Sequence, residues 1–259
     1  MLCAGLACAV DYAPLDEGAV IRRVIVDGIE RTALVFPGRR ALNTPSPLIL
    51  AFHGFSGSSR SMASTRLHVA WPEATVVYPE GIRVHSRRFG YEVPAWQSAP
   101  GRDNDRDVRF IDALLTDLHT AYQIDDRRVY AVGVSNGAIF SYVLFTLRPQ
   151  YFAAFGIVAG AAGFVREAVI PRPVLIIQGK QDRTIRPEWA VETRDLLRLL
   201  NGCGTEEKEW SPGYLSYQPC VSGYPIVWHL HDGGHDWPHD ATGKIIKFLK
   251  EQVLPPAKG

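Results

Sequence analysis

The sequence predicts an α/β fold, a mostly parallel sheet covered by helices on both faces. Short apolar runs rich in β-branched residues alternate with helical stretches, the pattern of parallel strands joined by crossover helices. A chain of 259 residues, 46% of them hydrophobic, can bury a large core in one domain. Gly-rich turns follow several of the strands, and in open parallel sheets reactive groups sit beyond the strands' carboxyl ends.

Residues 20–26 and 31–36 flank Asp27-Gly28, a two-residue hairpin signal, so the fold opens with an antiparallel ribbon. The loop 37–47 leads into 48–52, an apolar run read as a central strand that ends in His53-Gly54-Phe55-Ser56-Gly57. Residues 58–70 read as a helix and 75–78 as the next strand, closed by Pro79-Glu80-Gly81. Segment 82–104 reads as one long irregular loop carrying Arg83, His85, Arg87, Arg88, Phe89, Tyr91 and Trp96, and a loop of that length is usually functional or mobile. Apolar residues at 108, 111, 114, 115 and 118 make 105–122 an amphipathic helix. Residues 129–134 are a buried strand, followed by a helix to about 147 and a strand at 155–158. The segment 160–172 is too short for a helical lid. Strand 174–177 ends in Gln178-Gly179-Lys180-Gln181-Asp182, and 187–200 is a helix with Pro at its start. A Cys-bounded loop over 201–224 precedes strand 226–230, then His231-Asp232-Gly233-Gly234-His235 and a last helix over 241–254. No repeat, low-complexity tract or linker divides the chain.

A formal charge of +1 leaves no electrostatic footprint for nucleic acid. No apolar stretch approaches the length of a spanning helix, so membrane insertion is not expected. The sequence carries no signal for an oligomeric state. The first nine residues, MLCAGLACA, read as the remnant of a signal peptide with Ala7-Cys8-Ala9 as a small-x-small cleavage site, which makes 10–259 the domain proper and places it outside the cytoplasm, secreted or periplasmic. Cys3 and Cys8 fall in this leader. Cys203 and Cys220 then suit a disulfide in an oxidising compartment. The alternatives are two unpaired buried thiols, or a zinc site that lacks its further ligands.

The chemistry centres on Gly133-Val134-Ser135-Asn136-Gly137. Strand, sharp turn with Ser at its apex, and helix are the context of the G-x-S-x-G nucleophile elbow, where no room remains for side chains two residues either side of the serine. Ser135 is the candidate nucleophile, His235 the base, and Asp182 the carboxylate that orients the imidazole. Each follows a strand, and the order Ser, Asp, His is that of the α/β-hydrolase fold. The N–H of Asn136 and that of Phe55 are the candidate oxyanion donors, while His53 holds its turn by hydrogen bonds. Asp232 and Asp236 are alternative partners for His235. His229, His231, His235 and His239 form a second constellation that metal ligation would explain, but they lack a known ligand spacing, and no metal is assigned.

These residues carry a resemblance. The run ID-DRRVYAVGVSNGA over 124–138, the Asp107-Val108 helix start, Gln178-Gly179 with Asp182, Asn201-Gly202-Cys203 and Gly233-Gly234-His235-Asp236-Trp237-Pro238 are similar to the polyhydroxybutyrate depolymerase/feruloyl esterase family of secreted α/β-hydrolases. The similarity runs from about Leu48 to the last helix. It implies secretion, an ester substrate, no cofactor and a catalytic Ser135-Asp182-His235 set. The expectation is therefore a secreted serine carboxylesterase acting on feruloyl-type esters of polysaccharide or on poly- or oligo-hydroxyalkanoate. A serine peptidase and a noncatalytic binding protein on the same fold are the alternatives. Phe89, Tyr91 and Trp96 from segment 82–104, with Trp210, Tyr214 and Tyr217 from 201–224, are expected to wall an open cleft suited to a planar acyl group. Trp96 and Trp210 are the substrate contacts singled out, packing being the alternative for each ring.

Overall fold

The computed structural model describes residues 18–256 of the chain. The reading of residues 1–9 as a signal remnant, with Cys3 and Cys8, lies outside the described residues. The opening ribbon forms around Asp27-Gly28: β1 (Val20–Val26) pairs antiparallel with β2 (Ile29–Phe36). Asp27 and Gly28 both take positive φ, 52° and 76°, as a type I′ turn requires. β2 pairs antiparallel with β4 (Thr75–Pro79). From β4 the sheet continues through β3 (Ser46–Phe52), β7 (Ile124–Val134), β8 (Ala154–Val158), β9 (Val174–Gly179) and β12 (Ile226–His231), every neighbouring pair parallel. Every residue of β3, β8 and β9 is buried, which is why these strands read as unbroken apolar runs.

Successive residues of β3 alternate between two cores, Leu48, Leu50 and Phe52 on one face and Ile49 and Ala51 on the other. Helices α3 (Arg106–Ala121), α4 (Asn136–Leu147) and α5 (Pro187–Leu200) cover the first face with Phe110, Leu114, Phe140 and Leu197. The other is covered by α1 (Ser59–Ala63), α2 (Leu67–Ala70) and α6 (Ala241–Lys250), with Met62, Leu67, Ile245 and Phe248. Between β8 and β9 there is only a 3-10 turn, Gly163–Glu167, and no lid domain. Among the described residues no helix is long and apolar enough to cross a membrane.

Three stretches differ from the sequence expectation. Segment 82–104 is ordered: β5 (Ile82–His85) and β6 (Glu92–Ala95) form a separate hairpin. Each contributes only four residues, too few for alternation to stand out, and the turn is closed by Ser86, whose hydroxyl accepts from the Phe89 N–H. The Cys-bounded loop is also a hairpin. β10 (Cys203–Ser211) and β11 (Tyr214–Cys220) continue the main sheet beyond β12 and bring it to ten strands among the described residues. β10 is an edge strand whose residues Glu206, Glu207, Lys208 and Glu209 are exposed, so the apolar alternation of a half-buried strand is missing. The helix read over 58–70 is broken at Arg66, which takes φ 59° and starts α2.

One buried ion pair fixes the segment leading from the hairpin to α3. Arg31 of β2 donates to Asp107 at 2.9 Å, with the two side chains 5% and 0% exposed. Asp107 also accepts from the Gln97 N–H at 2.7 Å. Removing either partner would strand a buried charge at a cost of about 3–5 kcal/mol, so the stretch beginning at Trp96 has a rigid foundation.

Candidate active site

The elbow is built as its glycines require. Ser135 sits between β7 and α4 at φ 54° and ψ −118°, a strained conformation that costs about 1–3 kcal/mol and lifts the side chain clear of strand and helix. A Cβ on Gly133 would overlap the Gly137 carbonyl, and one on Gly137 would overlap the Phe52 carbonyl of β3. Although Ser135 precedes α4, its hydroxyl makes no capping bond to the helix; it is hydrogen-bonded at 2.8 Å to His235 Nε2. His235 Nδ1 lies 2.7 Å from Asp182 Oδ2. The structure thus joins residues 135, 182 and 235 at the carboxyl ends of β7, β9 and β12.

Asp182 is a buried acceptor with every partner in place. Its Oδ1 accepts from the N–H groups of Thr184 and Ile185 at 2.8 and 2.9 Å, and its Oδ2 also accepts from Gln178 Nε2 at 3.1 Å. Burial alone would raise this carboxyl's pKa, but the hydrogen bonds from His235, Ile185 and Thr184 outweigh it and hold Asp182 below the ordinary carboxylate value. An ionised Asp182 can only accept, so Nδ1 of His235 carries the proton and Nε2 is left to accept from Ser135. The turns bearing Asp182 and His235 are bound to each other, with Lys180 N–H donating to the His231 carbonyl at 2.8 Å and Gln181 N–H to that of Gly233 at 2.9 Å.

The alternative partners point elsewhere. Asp232 is paired with Lys180 at 2.6 Å, and Asp236 lies 3.6 Å from His231. His231 accepts from the Gly233 N–H through Nδ1, and burial, more than offsetting Asp236, lowers its pKa, which favours this neutral form. His229 stacks on Tyr214 at 4.1 Å. Among the described residues no group of three or more His, Cys, Asp or Glu is placed to hold a metal ion.

Facing the serine is the turn after β3, and Gly54 is its contact point: a Cβ there would lie 3.4 Å from that of Ser135. His53, 1% exposed, donates through Nδ1 to the Gly54 carbonyl and accepts from the Gly81 N–H through Nε2. Burial lowers its pKa against the Gly54 carbonyl and the Glu80 charge, as befits a neutral, structural imidazole. Ser56 N–H donates to the Pro94 carbonyl, and Gly57 N–H to that of Gly54, so the hydrogen bonds that shape the turn leave the Phe55 N–H out. The N–H of Asn136, at the first position of α4, has no acceptor within its own helix.

Trp96 is not a cleft wall. It is 3% exposed, stacks on Phe140 and meets Phe52 edge-on. Its indole donates to the His53 carbonyl at 3.0 Å, and its backbone N–H and carbonyl exchange two hydrogen bonds with the Asn136 side chain, at 2.8 and 3.1 Å. Residues 94–96 therefore bridge the two turns that present Phe55 and Asn136. Sequence reasoning missed this role of Trp96 and of the Asn136 side chain because no local pattern pairs positions forty apart. Trp210 is not at the site either: it packs against Phe248, with Nε1 donating to Glu251 beyond α6. Tyr214 and Tyr217 are buried. Phe55, next to the Gly54 contact with the serine, is exposed, and the exposed rings of Phe89 and Tyr91 follow it at 6.2 and 5.7 Å.

Cys203 and Cys220 are joined by a disulfide across the β10–β11 pair. It ties off the base of the outer hairpin.

The architecture is that of the α/β-hydrolase fold, and solved esterases share it. An acetyl xylan esterase from Aspergillus awamori superposes with a TM-score of 0.63 at 15% identity, over 89% of this chain and 99% of that one. A thermostable esterase gives 0.63 at 16% identity, over 92% of this chain and 64% of that one. In sequence the chain is 32% identical over 185 residues to NocK of Nocardia uniformis subsp. tsuyamanensis, which carries an esterase name, covering 66% of this chain and 51% of NocK. It is 27% identical over 154 residues to feruloyl esterase D of Neurospora crassa, covering 56% and 53%. The chain thus spans about half the length of these two relatives. No protein-family model matches it.

Proposed function

We propose that the protein is a serine carboxylesterase. The observation that carries this reading is the hydrogen-bonded chain Ser135–His235–Asp182, 2.8 and 2.7 Å, on a strained elbow at the carboxyl end of the sheet. Ser135 Oγ attacks the acyl carbon as His235 Nε2 takes its proton, and Asp182 holds Nδ1–H and stabilises the imidazolium. The N–H groups of Phe55 and Asn136 receive the oxyanion. The tetrahedral intermediate collapses as the alcohol leaves with the proton from Nε2, and water then repeats the sequence on the acyl-enzyme to free the acid.

The substrates we assign are esters of polysaccharides, feruloyl or acetyl, in keeping with the names of the relatives and structural neighbours above. It is this part of the family resemblance, rather than hydroxyalkanoate, that the reading takes up. A site with no lid domain suits an ester on a bulky alcohol better than a lipid chain. The disulfide supports a secreted or periplasmic location. The test is hydrolysis of methyl ferulate and aryl acetates, with an anilide as the amide control. Ser135→Ala should lower kcat by about 10⁶-fold with the fold intact. Retention of more than about a hundredth of the rate, far above what such a loss leaves, would contradict the nucleophile. Faster cleavage of the anilide than of the esters would make the protein a peptidase.

A further inference from the structure

A groove of about 940 Å³ lies between the β5–β6 hairpin and the N-terminal end of α1, lined by Ser56, Ser58, Glu80, Arg83, Tyr91 and Glu92 among others. No step of the proposed reaction uses it. Its near wall, residues 56–58, continues the turn whose Gly54 lies against Ser135. Phe55, Phe89 and Tyr91 run from that turn to the groove, 40%, 39% and 60% exposed. Three large rings left in water on one short path are an unusual expense for a soluble surface, where single exposed apolar residues are the norm. The hairpin that carries two of them is held to the catalytic turn by the Ser56–Pro94 bond, so its position relative to the serine is fixed.

We propose that this groove is the subsite for the alcohol side of the substrate, and that its occupant is a neutral saccharide chain. The inference rests on the esterase reading. The lining charges balance, Arg60 and Arg83 against Glu80 and Glu92, which gives no preference for an anionic ligand. Hydroxyl, carboxylate and guanidinium groups alternate with an aromatic ring, a lining that pairs hydrogen bonds to hydroxyls with ring contact to the C–H face of a sugar. A long aliphatic chain would instead need an apolar wall. Glu80 is held for the task, its Oε2 accepting from the Ser59 N–H at 2.7 Å, as is Arg83, which donates to the Glu92 carbonyl at 2.6 Å.

The test compares two esters of one acid, feruloyl xylotriose and methyl ferulate. The ratio of their kcat/KM values should favour the oligosaccharide by about tenfold or more in the wild type and fall about tenfold in Tyr91→Ala, the loss expected of one good ring contact. Trp210→Phe, on the outer hairpin, should leave the ratio unchanged. Calorimetry of Ser135→Ala with unesterified xylohexaose and cellohexaose reads the groove without catalysis, and binding should vanish when Tyr91→Ala is added. A wild-type ratio near one, a ratio that survives Tyr91→Ala, or no binding of either saccharide at millimolar concentration would overturn the subsite. Saccharide binding that depends on Tyr91 in a protein that hydrolyses no ester would overturn the esterase reading and leave the groove standing.

Discussion

The two added hairpins, β5–β6 and β10–β11, make the most instructive comparison in this molecule. One follows strand β4 and the other helix α5, both carry aromatic residues, and both read from sequence as irregular loops. β10–β11 joins the main sheet beside β12, and there its rings serve as packing: Tyr214 and Tyr217 are buried and Trp210 lies against Phe248. β5–β6 pairs only with itself and is sewn into the turns that carry Gly54 and Asn136 through Pro94 and Trp96, and there Phe89 and Tyr91 stay exposed to solvent. Aromatic content did not distinguish the two. What decides a ring's role is where its hairpin is anchored, since a strand added to a covered sheet must bury one face and a hairpin hung from a turn need not.

The comparison can be broken by substitution, beginning where the expected effect is largest. Asp182→Asn should reduce kcat by about 10⁴-fold, because the imidazole loses its orienting acceptor; Asp232→Asn and Asp236→Asn should change it by less than about tenfold, since their partners are Lys180 and His231. Steady-state kinetics on one ester decides this, and a larger loss at Asp236 would redraw the triad. Next come the anchors of the inner hairpin. Asn136→Ala or Trp96→Ala should lower kcat by about 10²–10³-fold with a smaller change in KM, the signature of a displaced oxyanion donor. Trp210→Ala, the matching change in the outer hairpin, should leave kcat within about threefold, because that ring meets Phe248 and Glu251 and not the turns around Ser135. Equal losses at Trp96 and Trp210 would erase the distinction between the hairpins.

Removing the outer hairpin's crosslink should give the reverse pattern. The Cys203→Ser/Cys220→Ser double variant is expected to lose about 3 kcal/mol of stability, from the loop closed by cysteines seventeen positions apart, while kcat holds; denaturant unfolding and an ester assay on one preparation read both. The smallest effect is electrostatic. The Asp182 carboxyl titrates below its unfolded value, so its contribution to stability is complete above about pH 4 and is lost as pH falls through the folded-state value. The melting temperature should therefore fall less steeply on acidification below about pH 4 in Asp182→Asn than in the wild type. Parallel curves would show that this carboxylate is not depressed.

How far the site was legible in the sequence follows from the range of each interaction. Ser135, Asp182 and His235 stand out because each sits in a short turn directly after a strand, where local glycines and chain order carry the information. Of the strands that position them β9 is fully buried, and β7 and β12 are buried over 129–133 and 226–228, so apolar runs mark all three. The edge strand over 203–211 is hidden because Glu206, Glu207, Lys208 and Glu209 put exposed charge on both its faces, although Pro212-Gly213 signals its turn. The part played by Trp96 is of a different kind: its bonds to His53 and Asn136 span forty-three and forty residues, and nothing near Trp96 in the sequence specifies them. Its indole, read as a contact for substrate, is instead a strut.

An esterase of this kind requires Ser135 to be an activated nucleophile. Intact-mass analysis after brief exposure to a fluorophosphonate measures this most directly, since covalent capture needs both the serine and its base but not the right ester. We expect one adduct per chain, mapped to Ser135, absent in Ser135→Ala and strongly slowed in Asp182→Asn. A wild-type protein that remains unlabelled, or an adduct at another residue, would contradict the esterase reading.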